Sequence, residues 1–142
     1  IRVAPLIFEK MESNAIMQAW SPFVLMLVPS SEPTPIVWVP LSLAIRLIED
    51  QNNTNAQLIN LENATQTQAR NALASVSEFD VFISVNTEKR FHFSDADVLG
   101  YNSVVSSFLH ELTHAMGMVS VVNETRGAAL PGYPSIYDAA LR

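Results

Sequence analysis

Residues 103–117, SVVSSFLHELTHAMG, constrain the fold of this chain more than any other part of its sequence. Placed on a helix with about 100° per residue, the apolar side chains of this segment fall on one stripe. That stripe consists of Val104, Val105, Phe108, Leu109 and Leu112. His110 and His114 stand one above the other on a different face, which also carries small serines. We therefore predict a helix whose apolar stripe packs on a sheet and whose other side leaves open room beside two imidazoles.

The spacing of the two histidines is the spacing that a zinc site requires. Imidazoles four residues apart on a helix can present nitrogens to one ion at about 2.0–2.1 Å. The chain has no cysteine, so its metal ligands must be nitrogen and oxygen atoms. Glu111 follows the first histidine and can take a proton from a zinc-bound water before delivering it to a leaving amine. We predict Zn²⁺ as the cofactor, His110 and His114 as ligands, and Glu111 as the catalytic base.

The same pattern could also be the solvated face of an ordinary helix. The flanking residues 104–109 and 115–118 are largely apolar, however, which is typical of a mostly buried helix. Two histidines and a glutamate would then need partners inside a core, because burying unpaired polar groups is costly. This argument favours the metal site.

The composition sets wider limits on the fold and its partners. The chain has 142 residues, 49% of them hydrophobic, which fits one globular domain. A formal charge of −6 with scattered basic residues argues against a nucleic-acid partner. The longest apolar run, residues 23–28, is too short to span a bilayer. Because the chain starts at Ile1, either a leader has been removed or it is a piece of something longer.

Strand and helix signals alternate along the chain. We predict strands at 2–8, 23–28 and 80–86, and helices at 9–20, 40–50, around 69–76 and again near the C-terminus. The mixture indicates an α+β or α/β class.

His110, Glu111, His114 and Gly117 together resemble the H-E-x-x-H-x-x-G motif of the metzincin clan of zincin metalloproteases. Residues 34–50, 79–86, 101–118 and 122–141 are also similar to a group of secreted bacterial metzincin-like proteins. The resemblance implies an α+β fold with a small mixed sheet, a backing helix and a zinc-binding active-site helix. It also implies that residues 1–142 form a single zincin-like metalloprotease domain, or part of a longer one. It further implies a zinc metalloendopeptidase of protein or peptide substrates with an extracellular location.

The third zinc ligand is the point at which the sequence departs from this family. Metzincins usually carry His or Asp three residues beyond the glycine, where this chain has Ser120. Asp138 is the favoured replacement, because its segment can fold back after an insertion that follows Gly117. Glu124, His92 and a ligand beyond the end of the chain remain the alternatives.

The resemblance also implies where a substrate binds. A peptide would extend the sheet along an exposed strand, with residues 80–86 as the expected edge. Two other functions remain open. One is a thermolysin-like zincin, whose third ligand is a glutamate on a later helix. The other is a non-catalytic interaction module that keeps the motif without a complete site.

Overall fold

The computed structural model describes residues 2–7, 15–28, 36–50, 56–61, 63–120 and 132–141. Within them the chain forms helices and two sheets of an α+β arrangement. The strands are β1 (Val3–Ile7), β2 (Met17–Leu27), β3 (Ile36–Pro40), β4 (Gln57–Leu58), β5 (Phe82–Val85), β6 (Phe91–His92) and β7 (Asn102–Ser103). The helices are α1 (Leu41–Glu49), α2 (Gln66–Ala74), α3 (Val104–Ala115) and α4 (Ile136–Ala140).

Strand β2 is the centre of the main sheet, and four other strands pair with it. Phe23 and Val24 pair with both β1 and β3, so these two strands lie on opposite edges of β2. Trp20 pairs with both β1 and β5, so these two strands also lie on opposite edges. Met26 pairs with both β3 and β4, which places β4 opposite β3. One edge of β2 therefore carries β1 and β4, and the other carries β3 and β5.

All four pairings of β2 within the described residues are antiparallel, whereas a mixed sheet is expected from the resemblance. Parallel pairing occurs at an isolated bridge between Trp38 of β3 and Ser135, and between β6 and β7 in the separate two-stranded sheet. The short connections from β1 to β2 and from β2 to β3 favour antiparallel neighbours, because parallel strands need a long crossover.

The side chains of β2 alternate between two cores. Val24 and Met26 join a cluster with residues of α1 and α2, including Leu41 and Leu73. Phe23 and Leu25 point to the opposite face and pack with Trp38 and with the segment that follows α3. The sheet is therefore covered on both faces, and this explains the unbroken apolar run at 23–28.

The prediction of a helix at 9–20 is wrong for its described part. Met17–Leu27 is one continuous strand, and Ala15 and Ile16 lead into it; residues 9–14 lie outside the described ranges. Met17 and Ala19 are both buried, as alternate residues of a half-covered strand are. The spacing of Ile16 and Met17 therefore reflects strand pairing rather than a helix face.

Helices α1 and α2 confirm the predicted helices at 40–50 and around 69–76. Helix α1 buries Leu41, Ala44 and Ile48 on one face, as its periodicity predicts. Helix α2 begins at a capping box in which Thr65 and Gln68 each bond the other's backbone N–H.

The predicted packing face of α3 is wrong. Its stripe residues Val105, Phe108 and Leu109 are 54%, 42% and 58% exposed, whereas Glu111 and Ala115 are each 2% exposed. The buried face is thus turned by about 70° from the centre of the stripe, at 100° per residue. The small Ala115 allows close approach, and a hydrogen bond from the strand satisfies the Glu111 carboxylate. Packing geometry and polar satisfaction decide the rotation of this helix.

None of the described helices is long and apolar enough to cross a membrane.

A matched pair of leucines tests where the core lies. Leu73 is fully buried in the α1–α2 core, whereas Leu99 is 100% exposed. Leu73→Ala should lower the free energy of unfolding by about 2–5 kcal/mol, through lost transfer energy and a new cavity. The same change at Leu99 should stay within about 0.5 kcal/mol. Urea unfolding of both variants checks this, and equal losses at the two positions would contradict the packing described.

Candidate metal centre

Helix α3 carries the motif and has a defined start. Ser103 is its N-cap, and the Ser103 hydroxyl accepts a hydrogen bond from the backbone N–H of Ser106 at 3.2 Å. The helix then runs for 12 residues, which confirms the helix predicted at 103–116.

The end of α3 is fixed by Gly117, whose φ of +100° is a conformation that side-chain-bearing residues rarely adopt. The N–H of Gly117 bonds the carbonyl of His114 at 2.9 Å, and the N–H of Met118 bonds that of Thr113 at 3.2 Å. These two bonds form a Schellman motif, which reverses the direction of the chain immediately after the last turn of α3. Helix α3 therefore ends in a sharp turn at Gly117.

This reversal brings a backbone carbonyl to the second histidine. His114 Nδ1 lies 3.1 Å from the carbonyl oxygen of Met118. A carbonyl can only accept, so Nδ1 carries the proton and donates it. In the neutral ring the lone pair then resides on Nε2, which makes Nε2 the atom available to a metal.

The two imidazoles converge through their Nε2 atoms, which lie 3.1 Å apart and share a hydrogen bond in the metal-free protein; because the His114 lone pair is on Nε2, His110 Nε2–H is the donor. A metal ion bound by both atoms would displace this proton. Their ring centroids are 4.6 Å apart, and the rings meet edge to face at 85°. Two nitrogens bound tetrahedrally to one zinc ion at about 2.0–2.1 Å would lie about 3.3–3.4 Å apart. The separation of His110 and His114 therefore fits two ligands of a single ion with a shift of a few tenths of an ångström.

Glu111 lies beside this pair and is buried. Its Oε2 accepts a hydrogen bond of 2.9 Å from the backbone N–H of Ala19, 92 residues away in β2. The bond connects the motif helix to the central strand of the sheet. It also satisfies an oxygen whose burial would otherwise be costly.

A cleft of about 460 Å³ opens between α3 and the start of β2. It is lined by Ala15, Ile16, Met17, Ser106, Ser107, His110 and Glu111. The prediction of open room on this side of α3 is therefore confirmed beside His110, with the two serines leaving the space. The predicted base, Glu111, borders the same cleft.

The segment that carries Asp138 does fold back to the end of α3. Ser135 Oγ lies 2.7 Å from the carbonyl oxygen of Val119, and Ile136 packs beside Gly117. Asp138 itself is buried in the capping box of α4, where its Oδ2 accepts from the Ser135 hydroxyl at 2.9 Å. The predicted return of the chain is thus observed, but the carboxylate faces its own helix cap.

The third ligand is not identified by this geometry. Among the described residues, no three side chains of His, Cys, Asp or Glu come together as a group that could hold a metal ion. His92 lies on β6 and Asp138 on α4, both within that part of the chain. Glu124 falls in 121–131, outside the described ranges. The assignment of Asp138 as third ligand stays a prediction.

Two parts of the site carry no signal in the sequence. These are the Ala19 N–H that binds Glu111 and the Met118 carbonyl that binds His114. Both are backbone groups, which every residue possesses, so only the fold can reveal them.

Comparisons with known proteins add no relative. No protein-family model matches the chain, and comparisons with curated proteins and with solved structures gave no match. The metzincin resemblance therefore rests on the motif residues themselves.

Two glycines with positive φ test the turn that ends α3. A Cβ at Gly117 would lie 3.2 Å from Pro40 Cγ, whereas one at Gly100, with φ of +78°, would meet nothing within 4 Å. Gly100→Ala should cost about 1–2 kcal/mol of unfolding free energy through backbone strain alone. Gly117→Ala should cost more, because Pro40 must also move. Urea unfolding measures both; a Gly117→Ala loss no larger than that of Gly100→Ala would contradict the close contact.

The protonation of His114 provides a second test. In the metal-free protein at a pH where the ring is neutral, we expect the proton on Nδ1, because Met118 accepts it. The ¹⁵N chemical shifts of the ring distinguish the two tautomers directly. A proton on Nε2 would mean that the turn at Gly117 does not orient this ring.

Proposed function

We propose that this protein is a zinc-dependent metallopeptidase, an endopeptidase of protein or peptide substrates. The observation that carries the proposal is the convergence of the His110 and His114 Nε2 atoms, 3.1 Å apart, next to a cleft that Glu111 also lines. Two nitrogen ligands and a carboxylate in this order are the parts that metal-assisted peptide hydrolysis uses.

Zinc, when bound, would supply a Lewis acid for the scissile carbonyl and lower the pKa of the attacking water to about 7. His110 and His114 would hold it, with the His114 ring oriented by the Met118 carbonyl. Glu111 would accept the proton of the attacking water and pass it to the leaving amine. The Ala19 N–H holds one carboxylate oxygen of Glu111 while the residue remains at the cleft wall.

Asp138 is the third ligand that we propose. Its helix already contacts the turn that ends α3, through Ser135 with Val119 and Ile136 with Gly117. A carboxylate at the start of α4 could therefore reach the histidines by a local rearrangement of the cap. Glu124 is the alternative within the chain.

A substrate backbone would add to the sheet as an extra strand. Strand β5, within the 80–86 segment, pairs with β2 on one side and has no second partner strand among the described residues. Its Phe82 and Val85 side chains are exposed. This edge and the cleft beside α3 are the two surfaces that a peptide could use.

The zinc content of three proteins tests the metal site. Protein purified without chelator should hold about one zinc per chain by elemental analysis, and Asp138→Ala should hold much less. Ser135→Ala is the matched control, since it breaks the same capping box but keeps the carboxylate. Equal zinc in all three would move the third ligand to Glu124, His92 or water. Zinc loss in both variants would assign Asp138 a structural role only.

The catalytic role of Glu111 is tested with an isosteric change. Glu111→Gln keeps an oxygen that can accept from Ala19 but removes the base, so cleavage of a peptide library should fall by about 10²–10⁴-fold. Zinc content and the unfolding midpoint should remain close to those of the unchanged protein. Undiminished cleavage by Glu111→Gln would exclude Glu111 as the base.

A non-catalytic interaction module is the second candidate. The burial of Glu111, 2% exposed and bonded to the sheet, is also what a purely structural residue would show. If the unchanged protein holds no zinc and cleaves no peptide, the module is the better description. Its partner would then bind the same cleft.

A further inference from the structure

Glu111 is connected to the sheet by a backbone donor that pairs with no strand among the described residues. Leu25 N–H bonds the carbonyl of Arg2, so the backbone groups of odd-numbered residues in β2 point to the β1 edge. Asn86 N–H bonds the carbonyl of Ile16, so even-numbered residues point to the β5 edge. Ala19 N–H therefore points to the β1 edge, away from β5.

The β1 edge has no ladder partner for this donor in the described residues. The described pairing of β1 ends where Ile7 meets Trp20, one residue short of Ala19. Glu111 Oε2 occupies that place at 2.9 Å. A helix side chain thus continues the hydrogen bonding of the sheet beyond the end of a strand.

The consequence for Glu111 is a fixed carboxylate. A glutamate has three side-chain torsions, and a charge-assisted bond to a rigid amide removes much of that freedom. Ala19 is itself fully buried and held in register by its pairing with Ile83. The backbone of Glu111 belongs to α3, the helix that also carries both histidines.

We propose that the Ala19 amide is a positioning group for the general base. It holds one Glu111 oxygen on β2 so that the carboxylate keeps a single orientation toward the cleft and the two imidazoles. This inference rests on the proposed function, because it assigns the amide a role in the same reaction. Ala15 and Ile16, which lead into β2, and Met17, its first residue, line the cleft, so the strand that borders the cleft also sets the position of the base.

Replacing one amide by an ester tests this directly. L-lactic acid in place of Ala19 removes the N–H and leaves the side chain unchanged. The same replacement at Ala69 is the control, since the Ala69 N–H is also buried and also makes a 2.9 Å bond, to the Thr65 carbonyl in α2. Each ester loses one hydrogen bond donated by a backbone N–H, and the Ala19 ester should lose the more stability, because its lost partner is a buried carboxylate rather than a carbonyl.

The kinetics of the two esters should differ. The Ala19 ester should lose kcat by about ten- to a hundredfold, with KM and zinc content unchanged, because a misplaced base slows only the chemical step. The Ala69 ester should retain kcat at temperatures where both proteins are folded. Equal kcat in the two esters would overturn the positioning role.

Amide hydrogen exchange provides a readout that needs no activity. Glu111→Ala should raise the exchange rate of the Ala19 amide about tenfold or more relative to that of the Ala69 amide, and Glu111→Gln should not. Equal changes at both amides would show that the bond does not hold the carboxylate and would overturn the inference. If the unchanged protein cleaves no peptide, both the proposed function and the positioning role are wrong. If it cleaves peptides but the two esters have equal kcat, only the positioning role is wrong.

Discussion

The hydrogen bonding of β2 is the constraint on which the rest of this structure depends. Among the described residues four strands pair with it, two along each edge, and both cores are built from its alternating side chains. Two parts of the candidate site also depend on it: Met17, its first residue, lines the cleft, and Ala19 holds Glu111. A strand with so many partners cannot shift register without moving the site, because a one-residue slip exchanges its two faces.

A second set of contacts joins the far end of α3 to the rest of the fold. Gly117 packs against Pro40 at the junction of β3 and α1, and beside Ile136 of α4. The same turn presents the Met118 carbonyl to His114. The orientation of one proposed metal ligand thus depends on a glycine that is wedged between three elements. The positive φ and the close contacts of Gly117 both disfavour a side chain at this position. The same glycine therefore affects the stability of the fold and the orientation of His114.

The sequence predicts those features that depend on local chemistry. The positions of α1 and α3 follow from periodicity, and the turn at Gly117 follows from the glycine itself. Helix α2 begins at Gln66, earlier than the predicted stretch around 69–76. Prediction from the sequence fails where tertiary contacts determine the type of an element or the face that it buries. Residues 17–20 have a spacing compatible with a helix, yet pairing with both β1 and β5 makes them a strand. The apolar stripe of α3 is present in the sequence, but the helix packs on the sheet through another face. A hydrogen bond to Glu111 and the small Ala115 define that buried face.

The burial of a carboxylate in this position bears on the choice between enzyme and module. As a connection between a helix and a strand, Glu111 is an expensive solution, because an ionised oxygen must be desolvated and replacement of buried charges by apolar groups is often neutral or stabilising. A glutamine would make the same bond to Ala19 without a charge. A carboxylate, unlike a glutamine, can also accept a proton, and Glu111 lies one residue from an imidazole whose Nε2 converges with that of His114. The energetic cost of the carboxylate therefore favours the chemical role over the structural one.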